Sequence, residues 1–90
     1  EKTPGAYPVV RLTFTGNVTD EPVVAGLVRR FGINVSIMYG GVDYIQEVSF
    51  GRLIIVLEGA EDKIEEALAY IDNLHIGSEV IGYVANSSID

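Results

Sequence analysis

The hydrophobic pattern of this chain switches period twice over, from two residues to about 3.6 and back. Val9 to Thr15 alternates, with Val10, Leu12 and Phe14 facing one way and Arg11 and Thr13 the other, which is the pattern of a half-buried strand. Val23, Val24, Leu27, Val28 and Phe31 then fall on one helical face. Ile33, Val35, Ile37 and Tyr39 alternate with Asn34, Ser36 and Met38, and Arg52 to Leu57 is a third strand rich in β-branched residues. Ile64, Ala67, Leu68 and Ile71 mark the buried face of a second helix, and Ser78 to Val84 a closing strand. A βαββαβ order folds most simply into one four-stranded antiparallel sheet with both helices on one face, an α+β, ferredoxin-like arrangement. The opposite face of the sheet must then be covered by water, a ligand or a second copy.

Punctuation between these runs supports the order. Thr19 or Asp20 can cap the first helix, Pro22 suits its first turn, and Gly32 supplies its stop. Glu61 or Asp62 opens the second helix after Gly59 ends the third strand. Two hairpin turns compete in the middle of the chain. A turn at Gly40-Gly41 would join a short strand to a much longer one, whereas a turn near Gln46 to Ser49 pairs arms of similar length. The second is preferred, and it predicts that Gly40-Gly41 is a bulge inside a long, bent strand. Residues 1–8, with two prolines and a glycine, read as a linker or flexible lead-in, 9–84 as the domain, and 85–90 as a polar tail. Opening on Glu1, the chain reads as a piece of something longer.

Composition excludes several kinds of chemistry. The chain has no Cys, which removes thiolate metal sites, Fe–S ligation and a Cys nucleophile, and which fits a reducing compartment. His75 is the only histidine, at the end of the second helix, where a cation or polar cap is the plain reading; no Ser-His-Asp spacing accompanies it. Glu61, Asp62, Glu65 and Glu66 cluster at helical spacing as a solvated face, so no metal and no catalytic residue is expected. A net charge of −7 opposes nucleic acid and anionic lipid. The longest apolar runs, such as Leu53 to Leu57, are far too short to span a bilayer. The sequence therefore points to a domain that binds rather than reacts.

The segment from Asn34 to Tyr44 departs from plain strand rules, because adjacent glycines weaken a strand and let a backbone or ligand approach closely. Its plain reading is a bent strand with Met38 in the core. Its functional reading is a niche for an amino acid, built from Ser36, Ile37, Met38, Tyr39, Gly40, Gly41, Val42 and Asp43. In that reading the main chain around the glycines supplies donors and acceptors, Asp43 faces an ammonium group, and Ile37, Met38, Tyr39 and Val42 receive an apolar tail.

An ordered set of residues resembles the NIL domain, the C-terminal regulatory domain of the ATP-binding subunit of bacterial methionine ABC importers. It comprises Arg11-Leu12-Thr13-Phe14-Thr15-Gly16, Asp20-Glu21-Pro22, Arg29-Arg30-Phe31, Asn34 to Ile37, Tyr44, Phe50-Gly51, Glu58-Gly59 and Glu79-Val80-Ile81-Gly82-Tyr83-Val84. Where that family carries Asn-Ile-Leu, this chain has Ser36-Ile37-Met38. The resemblance implies a homodimer that binds L-methionine near its interface and restrains transport when the internal pool is full (transinhibition). It further implies a parent chain bound to a membrane permease, hence a cytoplasmic location peripheral to the inner face of the membrane, and no cofactor in this domain. Similar domains also occur fused to iron–sulfur ferredoxins. Two other readings are a dimerisation module that binds no ligand and an acylphosphatase-like enzyme; Gly16-Asn17-Val18-Thr19 holds no Arg for the latter's phosphate loop.

Overall fold

A computed structural model describes residues 6–15, 23–46, 48–74 and 76–85. Six elements follow one another: β1 (Ala6–Thr15), α1 (Val23–Phe31), β2 (Asn34–Ile45), β3 (Val48–Glu58), α2 (Glu61–Asp72) and β4 (Gly77–Ala85). The strands form one sheet in the order β2-β3-β1-β4, with every neighbouring pair antiparallel. β1 and β3 are central and β2 and β4 are the edges. This is the expected α+β, ferredoxin-like arrangement.

Most of the core lies on one side of the sheet; Val56, also fully buried, has the opposite parity. Val10, Leu12 and Phe14 of β1 and Ile55 and Leu57 of β3 share a side-chain parity and pack with Val23 and Leu27 of α1 and Ile64, Ala67 and Ile71 of α2. Both helices therefore cover the same face. Leu12, Leu27, Ile55 and Leu57 are fully buried, and each such side chain contributes about 1.5–3 kcal/mol by leaving water. The α1 stripe is narrower than the spacing suggests. Val23 and Leu27 are buried, Val24 and Phe31 half-buried, and Val28 is 43% exposed. At about 100° per residue, Val28 sits at the far margin of the stripe from Val23. Phe31 packs edge-on against Tyr70 of α2, with ring centroids 5.5 Å apart, and Arg30 lies 5.0 Å over the same Tyr70 ring. In α2, Leu68 is half-buried, at the edge of the expected Ile64, Ala67, Leu68 and Ile71 stripe.

The helix ends follow from backbone chemistry. Gly32 takes φ 64, and its N–H donates to the Val28 carbonyl at 3.0 Å, so the glycine stop lies where the sequence places it. α2 opens at Glu61 after Ala60, which makes no side-chain cap, and Glu61 and Asp62 place acids in its first turn. The expected α1 cap at Thr19 to Pro22, His75 and the polar residues 86–90 lie outside the described residues.

Two differences from the sequence reading matter for function. β1 begins at Ala6, so Ala6 to Pro8 pair with β4 instead of belonging to a lead-in. More important is the bulge in β2. The hairpin turns at Gln46, whose φ of 52 is the left-handed conformation that a two-residue loop demands, as expected. Gly40-Gly41, however, is not the bulge: Gly40 pairs with Leu53 and Gly41 with Arg52, and the register shift falls between Ile37 and Tyr39, leaving Met38 outside the ladder. The glycines make room for side chains. A Cβ on Gly40 would meet Leu53 Cδ2 at 3.2 Å, and one on Gly41 would meet the Tyr39 hydroxyl at 2.8 Å.

Two stability outcomes follow. Leu27→Ala and Ile55→Ala should each cost about 2–5 kcal/mol in urea unfolding, and Val28→Ala less than about 1 kcal/mol. Equal losses at all three positions would contradict the one-sided core. Gly32→Ala should cost about 1 kcal/mol, because the left-handed conformation penalises a Cβ; an unchanged unfolding midpoint would contradict the glycine stop.

Candidate functional site

The eight candidate residues all lie on β2, an edge strand, and the Met38 bulge divides them between two faces. Ile37 pairs with Ile55, Gly40 with Leu53 and Val42 with Gly51, which puts them on the helix-side parity. Ser36 pairs with Val56, Tyr39 with Ile54, Gly41 with Arg52 and Asp43 with Phe50, which puts them on the open side of the sheet. A bulge shifts the alternation by one residue, so Tyr39 no longer shares a side with Ile37. The helix layer does not reach the far part of β2. Ile37, Met38 and Val42 are 58%, 60% and 57% exposed. The apolar candidates Ile37 and Val42 therefore stand on the opposite side from Tyr39 and Asp43, and the eight residues do not close into one niche within a single chain.

The open face brings other residues to Tyr39 and Asp43. Arg11 on β1 pairs with Ile54, and Thr13 pairs with Arg52, so both arginines and Thr13 share the side away from the helices. Arg52 donates a hydrogen bond through Nη2 to Asp43 Oδ2 at 2.7 Å, and its guanidinium lies 5.8 Å from the Tyr39 ring centroid. Arg11 is bonded through Nη2 to Glu79 of β4. Asp43 is thus held by a cation of the chain itself, whereas the sequence reading set it against a ligand's ammonium group. These ion pairs are about half exposed, so each stabilises the fold by only about 0–1 kcal/mol. Their effect is on position: across the sheet the charges run Glu79, Arg11, Arg52, Asp43, negative outside and positive within.

A depression of about 310 Å³ opens at the centre of this row, lined by Arg11, Thr13, Asp43, Phe50 and Arg52. The strand residues flanking Arg52 and Thr13 on either side are Gly41 and Gly77, neither of which carries a side chain to fill it. The Tyr39 ring leans over Gly41. Sequence reasoning gave the outward parity of Arg11 and Thr13 but not their meeting with Arg52 and Asp43. That depends on strand order and register, for which the signal was the pair of basic residues, Arg11 and Arg52, inside the two central strands. Among the described residues no group of three or more His, Cys, Asp or Glu side chains is placed to hold a metal ion, and no helix is long and apolar enough to cross a membrane.

Comparison with known proteins agrees with the resemblance read from the sequence. The family model of the NIL domain matches residues 8–80. The chain is 44% identical over 79 residues to the methionine import ATP-binding protein MetN of Rhodospirillum rubrum, covering 87% of this chain and 22% of that protein. It is 46% identical over 81 residues to MetN 3 of Shouchella clausii, covering 90% and 23%, and 40% identical over 85 residues to MetN of Photobacterium profundum, covering 94% and 25%. The chain thus spans about a quarter of the length of these relatives. Among solved structures, the C-terminal domain of an ABC transporter ATP-binding protein from Enterococcus faecalis superposes with a TM-score of 0.68 at 32% identity, over 83% of each chain. With the family model spanning most of the sheet and both helices, the chain belongs to the NIL domain family.

Proposed function

We propose that this chain is the ligand-sensing regulatory domain of the ATP-binding subunit of a methionine importer, and that it binds L-methionine to restrain transport. The observation that carries this reading is the set of relatives above, named methionine import ATP-binding proteins, of which the chain matches a segment of 22–25%. In such a parent the domain would work beside a membrane permease, on the cytoplasmic side and peripheral to the membrane. It would need no cofactor and perform no chemistry of its own. A bound amino acid restrains transport only through unequal affinity for the transporting and resting arrangements of the parent, and the coupling is reciprocal. The net charge of −7 disfavours nucleic acid as a partner, and a zwitterion is indifferent to it. Methionine would bind beside β2, near Ser36 to Asp43, at or close to a homodimer interface.

A second reading, a dimerisation module without a ligand, is favoured by one observation. β2 is a long edge strand whose Ile37, Met38 and Val42 are largely exposed, and edges of that kind pair readily with another chain.

Calorimetric titration separates the two readings. L-methionine should bind with measurable heat and L-leucine more weakly. At a hundredfold excess over its Kd, methionine should raise folding stability by about 2.7 kcal/mol. An intact dimer that gives no heat with millimolar methionine would sink the sensing role and leave the bare module. Sedimentation should show a dimer that Met38→Lys weakens, since a charge on an exposed edge opposes pairing. A chain that stays monomeric at high concentration would count against association through β2.

A further inference from the structure

We propose that the cleft between α2 and the edge strand β4 is a docking site for an extended segment of a partner protein, rich in basic and apolar residues, which joins the sheet beside β4 as a fifth strand. The inference goes beyond the sensing reading and does not depend on it. β4 and β2 are opposite edges of the sheet, three strand spacings or about 14 Å apart, so a guest on β4 leaves β2 free.

The cleft has an apolar floor and a strand for its wall. Val10 and Ile71 are buried, Leu68 is half-buried, and Val80 is 39% exposed, and these four line a cavity of about 220 Å³. Val80 pairs with Val10 and Ser78 with Leu12, so both face the helix layer. The Ser78 hydroxyl donates to Asp72 Oδ1 at 3.3 Å, which ties the end of α2 to β4 and closes one end of the cleft. The volume is below the about 300–1,000 Å³ of small-molecule sites. It suits side chains that project from a strand, the arrangement in which an edge supplies main-chain hydrogen bonds and a pocket beside it takes alternate side chains.

Little guards this edge. β4 holds one charged residue, Glu79, and no proline. Its register shifts between Val9 and Val10 of β1, which leaves Ile81 outside the ladder, so the added strand runs along residues 77–80, beside the cleft. The same edge carries Ile81 and Tyr83, 43% and 39% exposed.

Charge identifies the guest. At about 100° per residue, Glu65, Leu68 and Asp72 share one flank of α2, opposite Tyr70, which meets Phe31 and Arg30 of α1. The flank that overlooks β4 is therefore acidic, and Glu79 adds a carboxylate on the other side of the strand. Among the described residues neither Glu65 nor Asp72 is paired with a cation. A second copy pairing through β4 would bring the same acids and no Lys or Arg on that strand. Segments 1–5, 16–22 and 86–90 of this chain carry Lys2 against Glu1, Asp20, Glu21 and Asp90, so they repeat the charge of the rim. A guest with Lys or Arg flanking apolar residues complements both rim and floor.

The probe is the peptide acetyl-Lys-Lys-Leu-Lys-Leu-Lys-Lys-amide, whose two leucines share one face of a strand. It is titrated into the chain while amide chemical shifts are followed. Two control peptides accompany it. One has Glu for every Lys, and the other is N-methylated at two successive central nitrogens, which keeps every charge and blocks strand pairing. Shifts should centre on residues 68–72 and 78–82, and neither control should bind. Val80→Lys and Leu68→Lys, with unfolding midpoints confirming that each is folded, should weaken binding about tenfold or more, because each sets a cation on the floor. Asp72→Asn and Glu65→Gln should each weaken it about two- to fivefold, as expected of exposed charge pairs. The proposal is overturned if the N-methylated or acidic peptide binds equally well, if the folded Val80 and Leu68 variants bind as the unsubstituted chain does, or if the shifts fall on β2. No shift with millimolar basic peptide overturns it as well.

Discussion

The pairing of β1 with β3 sets Val10 opposite Ile55 and Leu12 opposite Leu53, and the same register sets Arg11 opposite Ile54 and Thr13 opposite Arg52. Core and candidate site are thus the two sides of one ladder. Side chains alternate across a strand, so a slip of one residue would carry the core residues into water and the arginines under the helices. Burying a guanidinium without compensation costs several kcal/mol, which makes the slipped register doubly unfavourable. The core fixes the register, and the register assembles the charges.

Because both helices back one side of the sheet, the open side carries no second layer within this chain. A ferredoxin-like domain can leave that side to water, and most of its residues would then be scattered polar groups. Here the side instead carries an ordered row of charges with cations inside and anions outside, and a depression between them. Half-exposed ion pairs add little to stability, and their worth lies in holding guanidiniums in fixed positions.

β2 shows how local and tertiary demands meet at one strand. Met38 is set outside the ladder, which turns Tyr39 to the open side, and Gly41 then lacks a side chain because the Tyr39 ring occupies that space. Gly40 serves the opposite side in the same way, by admitting Leu53. Beyond the reach of the helices, Ile37 and Val42 on the helix side remain exposed and unpartnered, so one edge strand offers an apolar surface on one side and part of the charged cradle on the other.

The sequence by itself determined the element order, the one-sided core and the hairpin turn. Those follow from hydrophobic period, from a glycine at a left-handed helix end, and from the need to match strand lengths, all of which are local. Val10, Leu12, Phe14, Leu27, Ile64, Ala67 and Ile71 are buried as their spacing requires. Periodicity put Val28 in the α1 stripe, but its fate depends on how wide a face the sheet covers. Only the tertiary structure decided where the bulge lies and which charges meet. Adjacent glycines look like a bulge because they are flexible, yet the ladder tolerates glycine wherever a neighbouring side chain fills the gap, as Tyr39 and Leu53 do here. Arg11 and Arg52 lie on strands separated in sequence by a helix, a hairpin and an edge strand. Their proximity is a property of strand order and register, which no local pattern encodes.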